Sequence, residues 1–260
     1  MPQCDMRRQK GRMLFREAGN RELPTIILLH GGGVSWWSLQ PIVELLKDSY
    51  HVVTPVIDGH GEDGDTTFIS IEDSADKLLG YIDSQCGGSV FALGGLSLGG
   101  QIATEVLSQR HDVARFAILE SALVIPMKGT VAWTVPLTKM SYGLIKQRWF
   151  SKLQAKSLFV SEDMFELYYR DSMRVTERSL INITVSNGNY ELKSGIGKTA
   201  AKALIIAGEK ELAIVRKSSQ LLSDTIPHSN LHIAKGMKHG ELSQANPGEY
   251  VGLLRALFES

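Results

Sequence analysis

The chain has 260 residues, enough to bury a substantial core as one α/β domain with an insertion or as two small domains. Lysine plus arginine balances aspartate plus glutamate at 28 each, so no global field draws in nucleic acid or an anionic membrane; the expected partner is a small molecule, uncharged and partly apolar. The two cysteines, Cys4 and Cys86, form no CxxC pair, which argues against a disulfide framework or a zinc cluster and points to a reducing compartment.

The opening MPQCDMRRQKGR is basic but has no apolar core, so it does not read as a secretory signal, and no run nears the roughly 20 apolar residues that span a bilayer. A cytoplasmic protein is expected. The first buried-strand pattern is TIILLH at 25–30, running into HGGG at 30–33, with Trp36 and Trp37 just beyond. Leu39, Ile42, Val43 and Leu46 then follow the i, i+3, i+4, i+7 spacing of a helix. HVVTPVI at 51–57 is the next strand, and it ends in DGHG at 58–61, which reads either as a brace for the earlier glycine loop or as surface-turn chemistry. Ala75, Leu78, Leu79 and Ile82 repeat the helical spacing, with Ser70 as N-cap and Asp73 as its capping-box-like partner. SVFALG at 89–94 leads through GGLSLGG at 94–100 into a helix carrying Ile102, Ala103, Val106 and Leu107.

RFAILE at 115–120 is the last strand pattern before the rhythm breaks. From Val124 to Lys198 helical patterns carry Trp133, Trp149 and several other aromatics, and a segment of that size reads as a helical cap rather than a loop. Strand patterns resume with KALIIAG at 202–208 and NLHIA at 230–234. The final helix starts at Asn246 as N-cap and Pro247 as N1, burying Tyr250, Leu254, Leu257 and Phe258. Unbroken apolar runs alternating with helices predict an α/β fold: a mostly parallel central sheet with helices on both faces, residues 1–123 and 199–260 forming the core and 124–198 a helical cap insertion.

The chemistry centres on Ser97, flanked by Gly94, Gly95, Gly99 and Gly100. GLSLG fits G-x-S-x-G between a strand and a helix, the setting in which a strained turn lifts the hydroxyl above the sheet edge. HGGG supplies a second oxyanion donor, the Gly32 N–H with Gly33 as near alternative, to pair with the Leu98 N–H. His239, in KGMKHGE between the last strand and the final helix, stands where a general base belongs in chain order. Of the other histidines, His30 belongs to the oxyanion loop, His51 and His232 to strands, His60 to a polar loop, and His111 and His228 to the surface. The carboxylate that fixes the base is Glu211, three residues past Gly208, with Glu209 and Glu120 as alternatives. Gly33, Trp36, Trp133 and Trp149 are the expected pocket residues and suggest an apolar acyl or alcohol group.

Two nucleotide motifs fail on context. GIGKT at 195–199 lacks the first glycine of a P-loop, and GHGEDG at 59–64 continues as an acidic loop whose Glu62, Asp63 and Asp65 would repel a pyrophosphate. No metal-ligand spacing is present, so no metal and no cofactor are expected. HGGG, DGHG, GLSLGG, the insertion, AGEKE and KGMKHG together resemble the α/β-hydrolase superfamily, of the capped serine-nucleophile kind, over nearly the whole chain. The resemblance implies a Ser97, His239, Glu211 triad with oxyanion donors at Gly32 and Leu98, departing from the commoner aspartate at the acid. It implies cleavage of a small ester, thioester or lactone through an acyl-enzyme. A carbon–carbon bond hydrolase and a small-molecule receptor are the other readings of the same fold.

Overall fold

The computed structural model describes residues 13–127 and 131–260. Cys4 and the basic opening segment lie outside them; Cys86 is a free thiol. Seven strands form one sheet: β1 (Leu14–Ala18), β2 (Thr25–Leu29), β3 (His51–Val56), β4 (Val90–Leu96), β5 (Ala114–Glu120), β6 (Lys202–Gly208) and β7 (Ser229–Ala234). Their order is β1-β3-β2-β4-β5-β6-β7, with β1 antiparallel to β3 and every other pairing parallel. The helices among the described residues are α1 (Gln40–Leu46), α2 (Ile71–Gln85), α3 (Leu98–Gln109), α4 (Val131–Ile145), α5 (Arg148–Ser157), α6 (Phe165–Arg174), α7 (Glu177–Asn189), α8 (Ala213–Thr225), α9 (Glu241–Ala245) and α10 (Pro247–Phe258). None is long and apolar enough to cross a membrane.

Six strands fall where the apolar runs predict them. Successive side chains of β2 enter opposite layers: Ile27 and Leu29 join residues of α2, α3 and α8, whereas Ile26 and Leu28 join residues of α1 and α10. That alternation places helices on both faces and explains why the run is apolar throughout. At the edges the rule fails. β7 is only partly buried, since it is the edge strand of the sheet among the described residues.

The seventh strand, β1, was not expected, because LFREA has no apolar run. Distant partners hold it instead. Arg16 donates twice to Glu62, from Nε at 2.8 Å and Nη2 at 2.5 Å; Glu17 accepts from the Tyr81 hydroxyl at 2.9 Å; and Phe15 stacks on Tyr81 at 3.8 Å between ring centroids.

Caps divide similarly. Ser70 Oγ accepts the Asp73 N–H at 3.1 Å, as its place before α2 predicts. Asn246 stands at the N-cap of α10 but makes no capping bond, because its side chain donates to the Glu241 carbonyl at 3.3 Å.

Helices α4 to α7 lie between β5 and β6, where the sequence predicts an insertion. Polar contacts tie it to the core. Trp37 Nε1 donates to Asp171 at 2.8 Å, Asn182 donates to the Phe68 carbonyl at 2.8 Å, and Asn187 donates to Gln101 at 3.0 Å. Val34 and Trp37, from the loop after β2, pack with Ala155, Phe165 and Tyr168 in a separate apolar cluster.

Candidate active site

Strand β4 ends and α3 begins within a single residue, Ser97, whose φ of 53° and ψ of −111° lie in a region that a side chain rarely adopts. Such strain costs about 1–3 kcal/mol and persists only where neighbours over-determine it. Two glycines permit it. A Cβ on Gly95 would stand 2.3 Å from the Gly99 carbonyl carbon, and one on Gly99 would stand 2.6 Å from the backbone oxygens of Leu29 and His30. The Ser97 N–H donates to the Glu120 carbonyl at 2.8 Å, fixing the turn to β5.

The hydroxyl lifted by this turn meets His239. Ser97 Oγ is 2.9 Å from His239 Nε2, and His239 Nδ1 is 3.2 Å from Glu211 Oε2. With Nδ1 protonated toward the carboxylate, Nε2 is left as the acceptor for the serine proton. The histidine comes from the loop between β7 and α9, which lies against the elbow: a Cβ on Gly240 would be 3.0 Å from a Leu96 methyl. The His239 side chain is 45% exposed while that of Glu211 is fully buried, so the imidazole is open to the cavity and the carboxylate is not.

Of the three carboxylates left open by the sequence, only Glu211 bonds to His239. Burial alone would raise its pKa, but bonds from His239, from Ser121 Oγ at 2.5 Å and from the Gly208 N–H at 2.9 Å outweigh it and hold the carboxyl below its ordinary value. Glu209 instead accepts the Gly236 N–H at 2.8 Å, at the surface. Glu120 is buried and accepts the Ser243 N–H at 3.3 Å; burial pushes its carboxyl up to about 7, against the pull of Ser243 and His239. Ser121, which orients Glu211, was not identified from the sequence, where it is an isolated serine after a strand with no motif around it.

The glycine loop lies beside the elbow: a Cβ on Gly32 would be 3.8 Å from the Leu98 side chain. His30 holds that loop. Its Nδ1–H donates to the Gly31 carbonyl at 2.8 Å and its Nε2 accepts the Ile57 N–H at 3.1 Å, so the ring is neutral; burial, with the His60 ring 5.3 Å away, pushes it down to about 3. His60 lies in the polar loop where the sequence places it but is buried there, and burial lowers it to about 4. DGHG therefore braces the glycine loop, and a Cβ on Gly61 would collide with Ser35 Oγ at 2.2 Å. The acidic residues that follow are taken up by Arg16 on Glu62 and Arg174 on Asp65.

Ser97 and His239 open into a cavity of about 500 Å3, shared with Gly32 and Gly33. The insertion supplies apolar walls from Ile145, Leu158, Leu180 and Ile183 and polar points at Thr134, Gln154, Asp171 and Asn187. Three expected pocket residues are absent from it. Trp36 lies under the Arg16 guanidinium at 5.2 Å, while Trp133 and Trp149 project into solvent, 80% and 60% exposed. Aromatic content marks the insertion, but the rotational phase of each helix decides which side chains turn inward. Among the described residues no cluster of three or more His, Cys, Asp or Glu could hold a metal.

A model of the alpha/beta hydrolase family matches residues 26–253. An AB hydrolase superfamily protein of Gibberella zeae is 30% identical over 142 residues, 54% of this chain and 49% of that protein, so the match spans about half of that relative's length. An esterase from Exiguobacterium antarcticum superposes with a TM-score of 0.78 at 17% identity, over 95% of this chain and 96% of that one. The 2-hydroxy-6-oxo-6-phenylhexa-2,4-dienoate hydrolase of Rhodococcus sp. strain RHA1 gives 0.78 at 16% identity over 95% of both chains. At these identities the likeness to the solved structures is one of fold.

Proposed function

The chain belongs to the alpha/beta hydrolase family, and from that premise we propose that it is a serine hydrolase that cleaves a small ester, thioester or lactone through an acyl-enzyme on Ser97. The observation that carries this reading is the unbroken hydrogen-bond chain Ser97 to His239 to Glu211 at the mouth of the cavity. Ser97 Oγ attacks the carbonyl carbon while His239 Nε2 takes its proton, and ionised Glu211 stabilises the imidazolium. The tetrahedral oxyanion is received by the N–H groups of Leu98 and Gly32, each worth roughly 3 kcal/mol to the transition state. His239 then protonates the leaving group, and water, deprotonated by the same nitrogen, releases the acid. Residues 124–198 serve as the cap, whose apolar walls and hydroxyl and amide groups, with the one carboxylate, Asp171, already engaged by Trp37 and Arg170, suit an uncharged, partly apolar substrate.

The test is labelling with a fluorophosphonate probe and mapping of the modified peptide. The expected result is modification of Ser97 in the wild type and none in Ser97→Ala, with both proteins melting alike. A wild-type protein that stays unlabelled at Ser97 overturns the reading.

A further inference from the structure

The insertion presents a second chemistry to solvent. Between Glu120 and Glu162 the chain has no carboxylate side chain but six cations: Lys128, which lies outside the described residues, Lys139, Lys146, Arg148, Lys152 and Lys156. Three are engaged within the protein. Arg148 pairs with Glu166, Lys146 Nζ donates to the carbonyls of Ser172, Met173 and Val175 at 2.7–2.8 Å, and Lys152 Nζ lies 5.8 Å from the centroid of the Phe165 ring. No ion pair among the described residues takes up Lys139, Lys152 or Lys156.

The same helices expose apolar side chains in register. On α4, Trp133, Leu137, Met140 and Leu144 recur at i, i+4, i+7 and i+11, one stripe that is 42–80% exposed. On α5, Trp149 and Leu153 are each 60% exposed and share a face with Lys152 and Lys156. Together these are six of the twelve large apolar side chains exposed among the described residues. A solvent-facing surface scatters such groups singly, so this concentration calls for a covering partner. Tryptophan and leucine beside lysines that no carboxylate neutralises is the composition of a helix that lies in a lipid headgroup layer.

We propose that α4 and α5 dock on an anionic lipid bilayer surface, the apolar stripe entering the headgroup–acyl boundary and Lys139, Lys152 and Lys156 meeting lipid phosphates. A second copy of the chain would set like charges against each other, and a neutral apolar groove would leave the lysines uncompensated. A bilayer satisfies both halves of the surface. The neutral total charge, from which no membrane partner is expected, averages over this segregation. Docking here also brings lipid to the cavity, because Thr134, Ile145, Gln154 and Ser157 line it from the same two helices.

Flotation of the full chain with vesicles decides the matter, and Ser97→Ala is used alongside the wild type so that docking and turnover fail separately. The expected result is at least about tenfold more protein on vesicles of equal phosphatidylcholine and phosphatidylglycerol than on phosphatidylcholine alone, falling as salt is added. The Lys139→Glu, Lys152→Glu, Lys156→Glu triple variant and the Leu137→Ser, Met140→Ser, Leu153→Ser triple variant should each lose that excess while keeping the wild-type melting temperature. Should either unfold, the vesicle and salt comparisons on the wild type still decide. Failure to float, or equal flotation on both vesicle types at all salt concentrations, overturns the proposal. So does concentration-dependent self-association of the wild type that the Leu137→Ser, Met140→Ser, Leu153→Ser variant abolishes, which would assign the stripe to a second copy.

Discussion

Replacing Glu211 with glutamine probes the hydrogen-bond chain at its buried end. The amide oxygen could still accept from Ser121 Oγ and the Gly208 N–H, which now meet Oε1. Its nitrogen, however, would occupy the place of Oε2, facing His239 Nδ1. Donor would then meet donor, and the imidazole is relieved only by moving its proton to Nε2. That tautomer cannot take the Ser97 proton, so the packing survives while the base is lost. The expected fall in kcat/KM is about 10⁴-fold, or roughly 5.5 kcal/mol at about 1.4 kcal/mol per decade, with a residual rate from the oxyanion donors and binding. Steady-state hydrolysis of p-nitrophenyl acetate and butyrate measures it, beside Glu209→Gln, which should match the wild type, and Glu120→Gln, which should lose less than about tenfold because it makes no bond to His239. A Glu211→Gln enzyme within about tenfold of wild type, or a Glu120→Gln enzyme as slow as the Glu211 variant is expected to be, refutes the assignment.

Ser121→Ala removes a buried donor to an ionised carboxylate and should cost about 2 kcal/mol of stability at neutral pH. Because the Glu211 pKa is depressed, that stabilisation is present above the ordinary carboxylate range and disappears as pH falls through the folded value, so urea titrations of the two proteins should converge in acid. Glu120 has the opposite sign. Its carboxyl is raised from 4.5 to about 7, so the proton it keeps on folding stabilises fully below about pH 4.5, and that contribution drains away as pH rises through 7. Across that window wild type should lose about 3 kcal/mol relative to Glu120→Gln, and parallel stability curves would remove the argument. Gly95→Ala drives a Cβ into the backbone of Gly99 and should destabilise by about 3 kcal/mol or more in thermal melts. Gly252→Ala, with nothing within 4 Å inside α10, should instead stabilise by about 0.5–1 kcal/mol.

Local physics is written in the sequence and was legible there. Six strands could be read because each is apolar over a run short enough to be a buried strand, and Ser97 because its glycines answer backbone collisions arising within a few residues and at the adjacent strand. His239 was found by its place in chain order. Other features depend on atoms that meet only when the sheet is assembled. β1 carries polar side chains whose partners, Glu62 and Tyr81, lie 46 and 64 residues away. Ser121 orients Glu211 across 90 residues, and the choice among three glutamates rests on a few ångströms at the ends of β5 and β6. Trp133 and Trp149 were expected in the pocket and face solvent. Composition and spacing determine that a helix forms and which residues share a face; which face turns inward is decided by packing against elements far along the chain, and only the tertiary structure supplies it.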